Sequence, residues 1–423
     1  MRTRQWLLGS WLVLVGACPG RPAGESRHAI AAPPVRPGLE VLIEDSIHLV
    51  HGRRVALVTN QAGVDRTGRH GVERLRAAGV RLVALFSPEH GFRGTADPGA
   101  AVASTIDSAT GLPIYSLYGR NSAPTDSQLA GVDVVLVDLQ DAGARYYTYL
   151  WTTVGVMRSA ARAGIPVVVL DRPDPIGGAV QGNVLDTAYR TPVGLIAIPM
   201  RHGMTLGELA RLARNDFGLG TDLTVVPAAG WRRGMLFDET GLPFVPPSPN
   251  LRSLEALIHY PGLCLFEGTT LSVGRGTDRP FEQVGRPGLD TAAVLATLRA
   301  ADPAGVAFAG AAFTPRRPGD GKFADTLVHG VRLTITDRNR YDPIRTALLV
   351  LGAVRDADPG LPLFPPNPAH FDRLVGDGGR AREQLDRIAP GAGPASMEAV
   401  LAGWAHGVPP FLLRRRPFLI YPE

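Results

Sequence analysis

The carboxylates of this chain gather on short loops rich in glycine and proline, the usual setting for acid–base chemistry. Residues 87–94 read Ser-Pro-Glu-His-Gly-Phe-Arg-Gly. Pro88 and Gly91 shape a turn, so Glu89 projects from a rigid loop beside His90 and Arg93. A partly desolvated carboxyl group there is suited to donate a proton; an ion pair with Arg93 is the competing structural reading. Residues 138–149 (DLQDAGARYYTY) add Asp138, Asp141, Arg145 and three tyrosines, Tyr147 among them. Aromatic rings beside hydrogen-bonding groups suit a sugar, whose CH faces stack while its hydroxyls need donors and acceptors. Asp141 serves equally as a helix cap, and the tyrosines as core. Residues 171–178 (DRPDPIGG) form a rigid turn that holds Arg172 toward an anion or simply ties down its own loop. Residues 266–277 (FEGTTLSVGRGT) combine Glu267, Ser272 and Arg275 with glycines that let a backbone approach a ligand closely. Arg275 can grip a carboxylate through two parallel hydrogen bonds, or pair within its own loop.

Each loop follows a short apolar run. Residues 54–60, 81–87, 133–139 and 166–171 read as strands, with helices over 71–78 and 146–163. Strands this uniformly apolar belong in a parallel sheet covered on both faces. The runs end in Asn60, in Glu89 and His90, in Asp138 and Asp141, and in Asp171 and Arg172. In open α/β sheets the ligand crevice lies beyond the carboxyl ends of the strands, so these residues fall where such a fold builds a site. A helix over 205–216 and a strand over 223–227 extend the domain, and the proline-rich segment 243–249 marks its boundary. Beyond it helices are expected at 251–259, 291–299, 343–356, 380–388 and 396–404, with strands at 306–313 and 331–336. The expected class is α/β: a Rossmann-like parallel-sheet domain over 38–245 and a smaller α+β domain over 246–423.

Composition and missing motifs narrow the function. With 45% hydrophobic and 20% charged residues, the 423-residue chain can bury a full core, which excludes a wholly disordered or polytopic membrane protein. No GxGxxG follows the first strand, and no GxxxxGK[ST], HExxH or GxSxG occurs. A dinucleotide enzyme, a P-loop nucleotidase and an α/β-hydrolase are disfavoured, and neither metal nor cofactor is expected. The net charge of +5 is carried by arginine, Lys322 being the sole lysine, and no nucleic-acid partner is expected.

Residues 1–17 read as a bacterial export signal: Arg2 and Arg4 precede an apolar stretch over 6–17, too short for the roughly 20 residues that span a bilayer. Small residues before Cys18 resemble a lipobox, with cleavage ahead of Cys18 and acylation of its thiol; an ordinary signal peptide leaves Cys18 incidental. Residues 18–37 then form a flexible tether. The expected location is the periplasm or cell envelope, with the membrane met through a lipid anchor only. Loss of Arg2 and Arg4 lowers the net charge to +3. Cys264, in an apolar context, reads as a buried thiol.

Taken in order, VTNQAG (58–63), SPEHGFRG (87–94), DLQDAGARYYTY (138–149), LDRPDPIGG (170–178) and FEGTTLSVGRGTDRPFE (266–282) resemble the NamZ-type exo-β-N-acetylmuramidases, glycoside hydrolase family 171. The resemblance covers nearly the whole chain beyond the leader and tether. It implies a Rossmann-like domain joined to a smaller domain with a partly open barrel, and an active site in the cleft between them. It also implies release of terminal N-acetylmuramic acid (MurNAc) from the non-reducing end of peptidoglycan fragments, at the β-1,4 MurNAc–GlcNAc bond, in cell-wall turnover or recycling. By this likeness Glu89 is the catalytic acid. The second role falls to Asp138, Asp141, Glu267 or the substrate's own acetamido group. Asn60, His90, Arg93, Asp138, Arg145, Tyr147, Arg172, Ser272 and Arg275 line the pocket. Muramic acid carries a lactyl carboxylate, for which Arg93, Arg145, Arg172 and Arg275 are candidates, Arg275 foremost. Asp174 stands where the family often has asparagine, and Leu139 and Ala142 where it has other small or apolar residues. A non-catalytic muropeptide-binding lipoprotein and an exo-hexosaminidase of other specificity are the competing readings.

Overall fold

Successive side chains of a strand point to opposite faces of its sheet, and here both faces are apolar. The computed structural model describes residues 35–423. In strand β1 (Arg54–Thr59), Val55 and Leu57 enter one buried layer while Ala56 and Val58 enter another. Helices α1 (Gly38–Asp45) and α2 (Gly71–Ala77) cover the first layer through Leu39, Leu42, Val72 and Leu75. Strands β2 (Arg81–Ser87), β3 (Thr105–Ile106) and β4 (Pro113–Ser116) follow, then a single helical turn, α3 (Asp126–Leu129). Strands β5 (Val134–Asp138) and β6 (Val167–Leu170) flank α4 (Tyr149–Ala163), which covers the second layer together with α5 (Leu206–Asp216). A two-stranded antiparallel ribbon, β7 (Gln181–Val184) with β8 (Pro199–Arg201), precedes β9 (Leu223–Val226).

The seven-stranded sheet runs β3-β4-β2-β1-β5-β6-β9, parallel throughout except where β3 meets β4. The four expected strands at its centre are present, and β3 and β4 add an edge that the apolar runs do not announce. Helix α4 begins at Tyr149 rather than at residue 146. Residues 146–148 instead form the turn that delivers two tyrosines and a threonine to the site. Helix α5 starts as its residues dictate, with the Thr205 hydroxyl accepting from the Glu208 N–H and the Glu208 carboxylate accepting from the Thr205 N–H.

The second half contains α6 (Leu254–Leu263), β10 (Gln283–Arg286), α7 (Thr291–Ala301), β11 (Val306–Phe313), β12 (Val328–Ile335) and α8 (Pro343–Ala357). Helices α9 (Ala369–Val375), α10 (Arg380–Arg387), α11 (Pro394–Ala405) and α12 (Val408–Arg415) complete it. A three-stranded antiparallel sheet, β10-β12-β11, stands in the place of the partly open barrel. One apolar cluster runs from Ala56 in β1 to Phe411 in α12, so the two halves share a core. The C-terminal residues return to the first half, where the Tyr421 hydroxyl donates to buried Asp171 at 2.7 Å. Cys18, the export signal and all but the last residues of the tether lie outside the described residues. Among the described residues no helix is long and apolar enough to cross a membrane.

Candidate active site

Strand β2 ends at Ser87, and the chain then reverses through two residues in the left-handed region, His90 (φ 71°) and Gly91 (φ 75°). A non-glycine residue in that region costs energy and persists only where its surroundings hold it. Here the His90 ring does so, its Nδ1 lying 2.9 Å from the Ala96 carbonyl. The reversal places Glu89 among donors. Its Oε1 accepts from the Gly99 N–H at 2.9 Å, and its Oε2 from the Thr148 hydroxyl at 2.6 Å. The Tyr118 phenol lies near the same carboxylate; burial, and then the Glu89 charge, push that phenol up to about 12. Burial lowers the His90 imidazole below its ordinary value despite the adjacent Glu89, so the ring is neutral at pH 7.

Glu267 lies on the turn after α6, next to Arg275. Arg275 donates to Glu267 Oε1 through Nε at 3.0 Å and also through Nη2, and stacks over Phe281 at 5.2 Å. The His370 ring on α9 approaches Glu267 Oε2 at 3.7 Å. Burial alone would raise the Glu267 pKa, but the Arg275 charge and His370 outweigh it and bring the group down to about 2. Glu267 is therefore an ionised carboxylate.

Both carboxylates face one cavity of about 280 Å³. Of the residues expected from sequence, Glu89, His90, Tyr147, Glu267 and Arg275 line it. Tyr118, Thr148, Tyr260, His370 and Asp320 line it too and escaped the sequence reading, because each sits in a stretch without a distinctive pattern or, for Thr148, was masked by the tyrosines around it. The aromatic wall is a continuous lattice: Tyr147 packs edge-on against Tyr260 at 6.4 Å, and Tyr260 against Phe281 at 5.0 Å. The Tyr147 hydroxyl donates to the Pro247 carbonyl at 2.7 Å, which leaves its ring face as the surface offered to a ligand.

The remaining candidates are not on the cavity wall, and each has a structural employment. Asp138 and Arg172 form a buried two-point ion pair at 2.6 and 3.0 Å beneath the β5 and β6 ends. Asp141 accepts from the Gly143 N–H at 3.0 Å and faces buried His202 at 3.5 Å, so it shapes its own loop. Buried Arg145 does not line the cavity and donates to the carbonyls of Asn183, Ile198, Leu374 and Val375. Asn60 donates to the Tyr149 hydroxyl at 2.6 Å, behind the aromatic wall. Ser272 accepts from the Gly274 N–H at 3.1 Å and fixes the loop leading to Arg275. Arg93 is largely solvent-exposed and pairs with Asp107 at 3.4 Å, not with Glu89. Of the four arginines considered for an anionic substituent, Arg275 alone lines the cavity. Among the described residues no group of histidine, cysteine and carboxylate side chains is arranged to hold a metal ion.

Comparison with known proteins places this architecture. Residues 55–255 match the family described as Exo-beta-N-acetylmuramidase NamZ, N-terminal, and residues 258–421 match its C-terminal counterpart. The Peptidoglycan beta-N-acetylmuramidase NamZ of Bacillus subtilis is 40% identical over 396 residues, covering 92% of each chain. Two crystal structures of DUF1343 family proteins from Bacteroides fragilis superpose with TM-scores of 0.82 and 0.73, at 30% and 32% identity. Each covers 92% of this chain, and 99% and 100% of its own. The chain belongs to the NamZ family of exo-β-N-acetylmuramidases.

Proposed function

We propose that this protein is an exo-acting glycosidase that removes terminal MurNAc from the non-reducing end of peptidoglycan fragments. The observation that carries the reading is the pairing of Glu89 and Glu267 across one small cavity, inside a chain matched to the NamZ family along nearly all its described length. At about 280 Å³ the cavity lies just below the usual range of small-ligand sites, about 300 to 1,000 Å³, and suits one sugar ring better than a chain of them.

Catalysis of glycoside hydrolysis asks for a carboxylic acid beside the leaving oxygen and a negative charge near the anomeric carbon. Glu89 is the acid in this reading: the Gly99 N–H anchors Oε1, and the Thr148 hydroxyl, 2.6 Å from Oε2, fixes the orientation of the carboxyl group. Asp138 and Asp141 are spoken for, so Glu267, held ionised by Arg275 and His370, is the carboxylate that faces the developing positive charge. Tyr147 and Tyr260 offer ring surfaces to the sugar's CH groups. Arg275, with His370 beside it, is the cationic edge available to the lactyl carboxylate. The export signal and the Ala17-Cys18 junction support a location outside the cytoplasm, tied to a membrane through an acylated Cys18.

The test is release of MurNAc from the disaccharide MurNAc–GlcNAc. Glu89→Gln keeps the shape of the side chain but cannot supply the proton, and is expected to lower kcat by about 10²–10⁴-fold. Turnover in the variant equal to wild type would overturn the assignment. Metabolic labelling with palmitate, lost in Cys18→Ser, tests the anchor.

A further inference from the structure

Lysine is used once in this chain, and its one position is informative. Of 44 basic residues, Lys322 alone is a lysine, on the segment between β11 and β12. Its half-buried Nζ donates to three carbonyl oxygens, those of Phe266 at 2.9 Å, Glu267 at 3.1 Å and Leu271 at 2.9 Å. Three acceptors converging on one point match the three hydrogens of an ammonium, whereas a guanidinium spreads its donors across a planar fork. Lysine thus stands where arginine's shape would fail.

The acceptors belong to the turn that carries Glu267, and Glu267 in turn holds Arg275. The Lys322 segment is fastened again on the far side of that pair, where the Arg316 N–H donates to the Gly276 carbonyl at 2.7 Å. Between the two fastenings, Gly319 and Asp320 line the cavity. Gly319 also packs beside Asp97 and Pro98, on the loop that presents the Gly99 N–H to Glu89. One segment therefore touches the supports of both carboxylates, and its sole ammonium is the strongest tie it has to the Glu267 side.

We propose that Lys322 is a positioning residue for the glycosidase reaction: its ammonium sets the backbone of Glu267, and with it the Glu267–Arg275 pair, and moors the β11–β12 segment as a wall of the cavity. The inference rests on the activity proposed above.

The test uses full-length protein and MurNAc–GlcNAc. Lys322→Met is expected to lower kcat by about 10²-fold, the scale set by misplacing a catalytic group by about 1 Å, with little change in KM. Lys322→Arg should not restore the rate, and methylammonium added to Lys322→Ala should restore part of it. Unchanged kcat in Lys322→Met, or a loss confined to KM, would overturn the proposal. Should the variants fail to fold, acetylation of the native enzyme with N-hydroxysuccinimidyl acetate decides. Loss of activity is expected to track modification of Lys322 by peptide mass, and full modification with activity retained would overturn the proposal. A wild-type protein inactive on the disaccharide would instead refute the proposed activity, which separates the two failures.

Discussion

Asp174 has a carboxyl group shut away from water with little to compensate it. Its Oδ1 accepts from the Ile176 N–H at 3.1 Å, its Oδ2 finds no hydrogen-bond partner, and the His202 ring stands 3.9 Å off. Burial, opposed by His202 and reinforced by Asp141, pushes the group up to about 7. The folded form thus binds a proton that the unfolded chain releases near its ordinary value of 3.8, so stability falls as pH rises from about 4 to about 7. An asparagine side chain at this position would keep the shape without the charge. Asp174→Asn is expected to be more stable than wild type at pH 8 by about 1–3 kcal/mol, with the difference gone near pH 4. Urea denaturation at the two pH values measures this. Thr148 supports a second prediction. Thr148→Val removes the hydroxyl 2.6 Å from Glu89 Oε2, and kcat/KM should fall by up to about tenfold, since a hydrogen bond is worth about 0.5–1.5 kcal/mol net. Steady-state kinetics with unchanged circular dichroism would check it.

Helix α9 shows how an element of one half is held by a residue of the other. Its last carbonyls, Leu374 and Val375, are among those that a helix cannot satisfy internally, and Arg145 from the loop after β5 donates to them at 2.7 and 2.9 Å. Positive charge at a helix C-terminus is favourable in its own right. Arg145→Ala should cost about 3 kcal/mol or more, because several buried carbonyls lose a charged donor at once. It should also raise KM, since α9 carries His370 beside Glu267. Chemical denaturation and kinetics on the same variant test both effects. This is also the level at which the sequence was most and least legible. Buried parallel strands announce themselves, because β1, β2, β5 and β6 are apolar on both faces. The strands β3, β4 and β10 do not, being two to four residues long or polar at their ends. Among site residues, Glu89 and Glu267 were legible from glycine-bounded loops. Arg145 and Arg172 looked alike in the chain, and only the third dimension reveals that their partners are a helix end and a neighbouring carboxylate. Tyr260 and His370 lie in ordinary helical sequence, and packing alone turns them toward the cavity.

Across the whole molecule, one apolar cluster links the central sheet to α8, α9, α11 and α12, and the hydroxyls of Tyr147 and Tyr149 both donate to the Pro247 carbonyl in the proline-rich segment between the halves. Shared core and shared hydrogen bonds leave neither half a complete interior. Calorimetry is therefore expected to show a single transition, with calorimetric and van't Hoff enthalpies in agreement; two resolved transitions would contradict it. The sheet at the centre of this body ends, on one side, in the two residues of β3, both exposed and one of them Ile106. A strand that short presents too few free N–H and C=O groups for another chain to pair with. The outer border of the sheet is in effect a dead end for growth, blunted by brevity rather than by charge, so an apolar side chain can stand in water there without becoming the seed of a fibre.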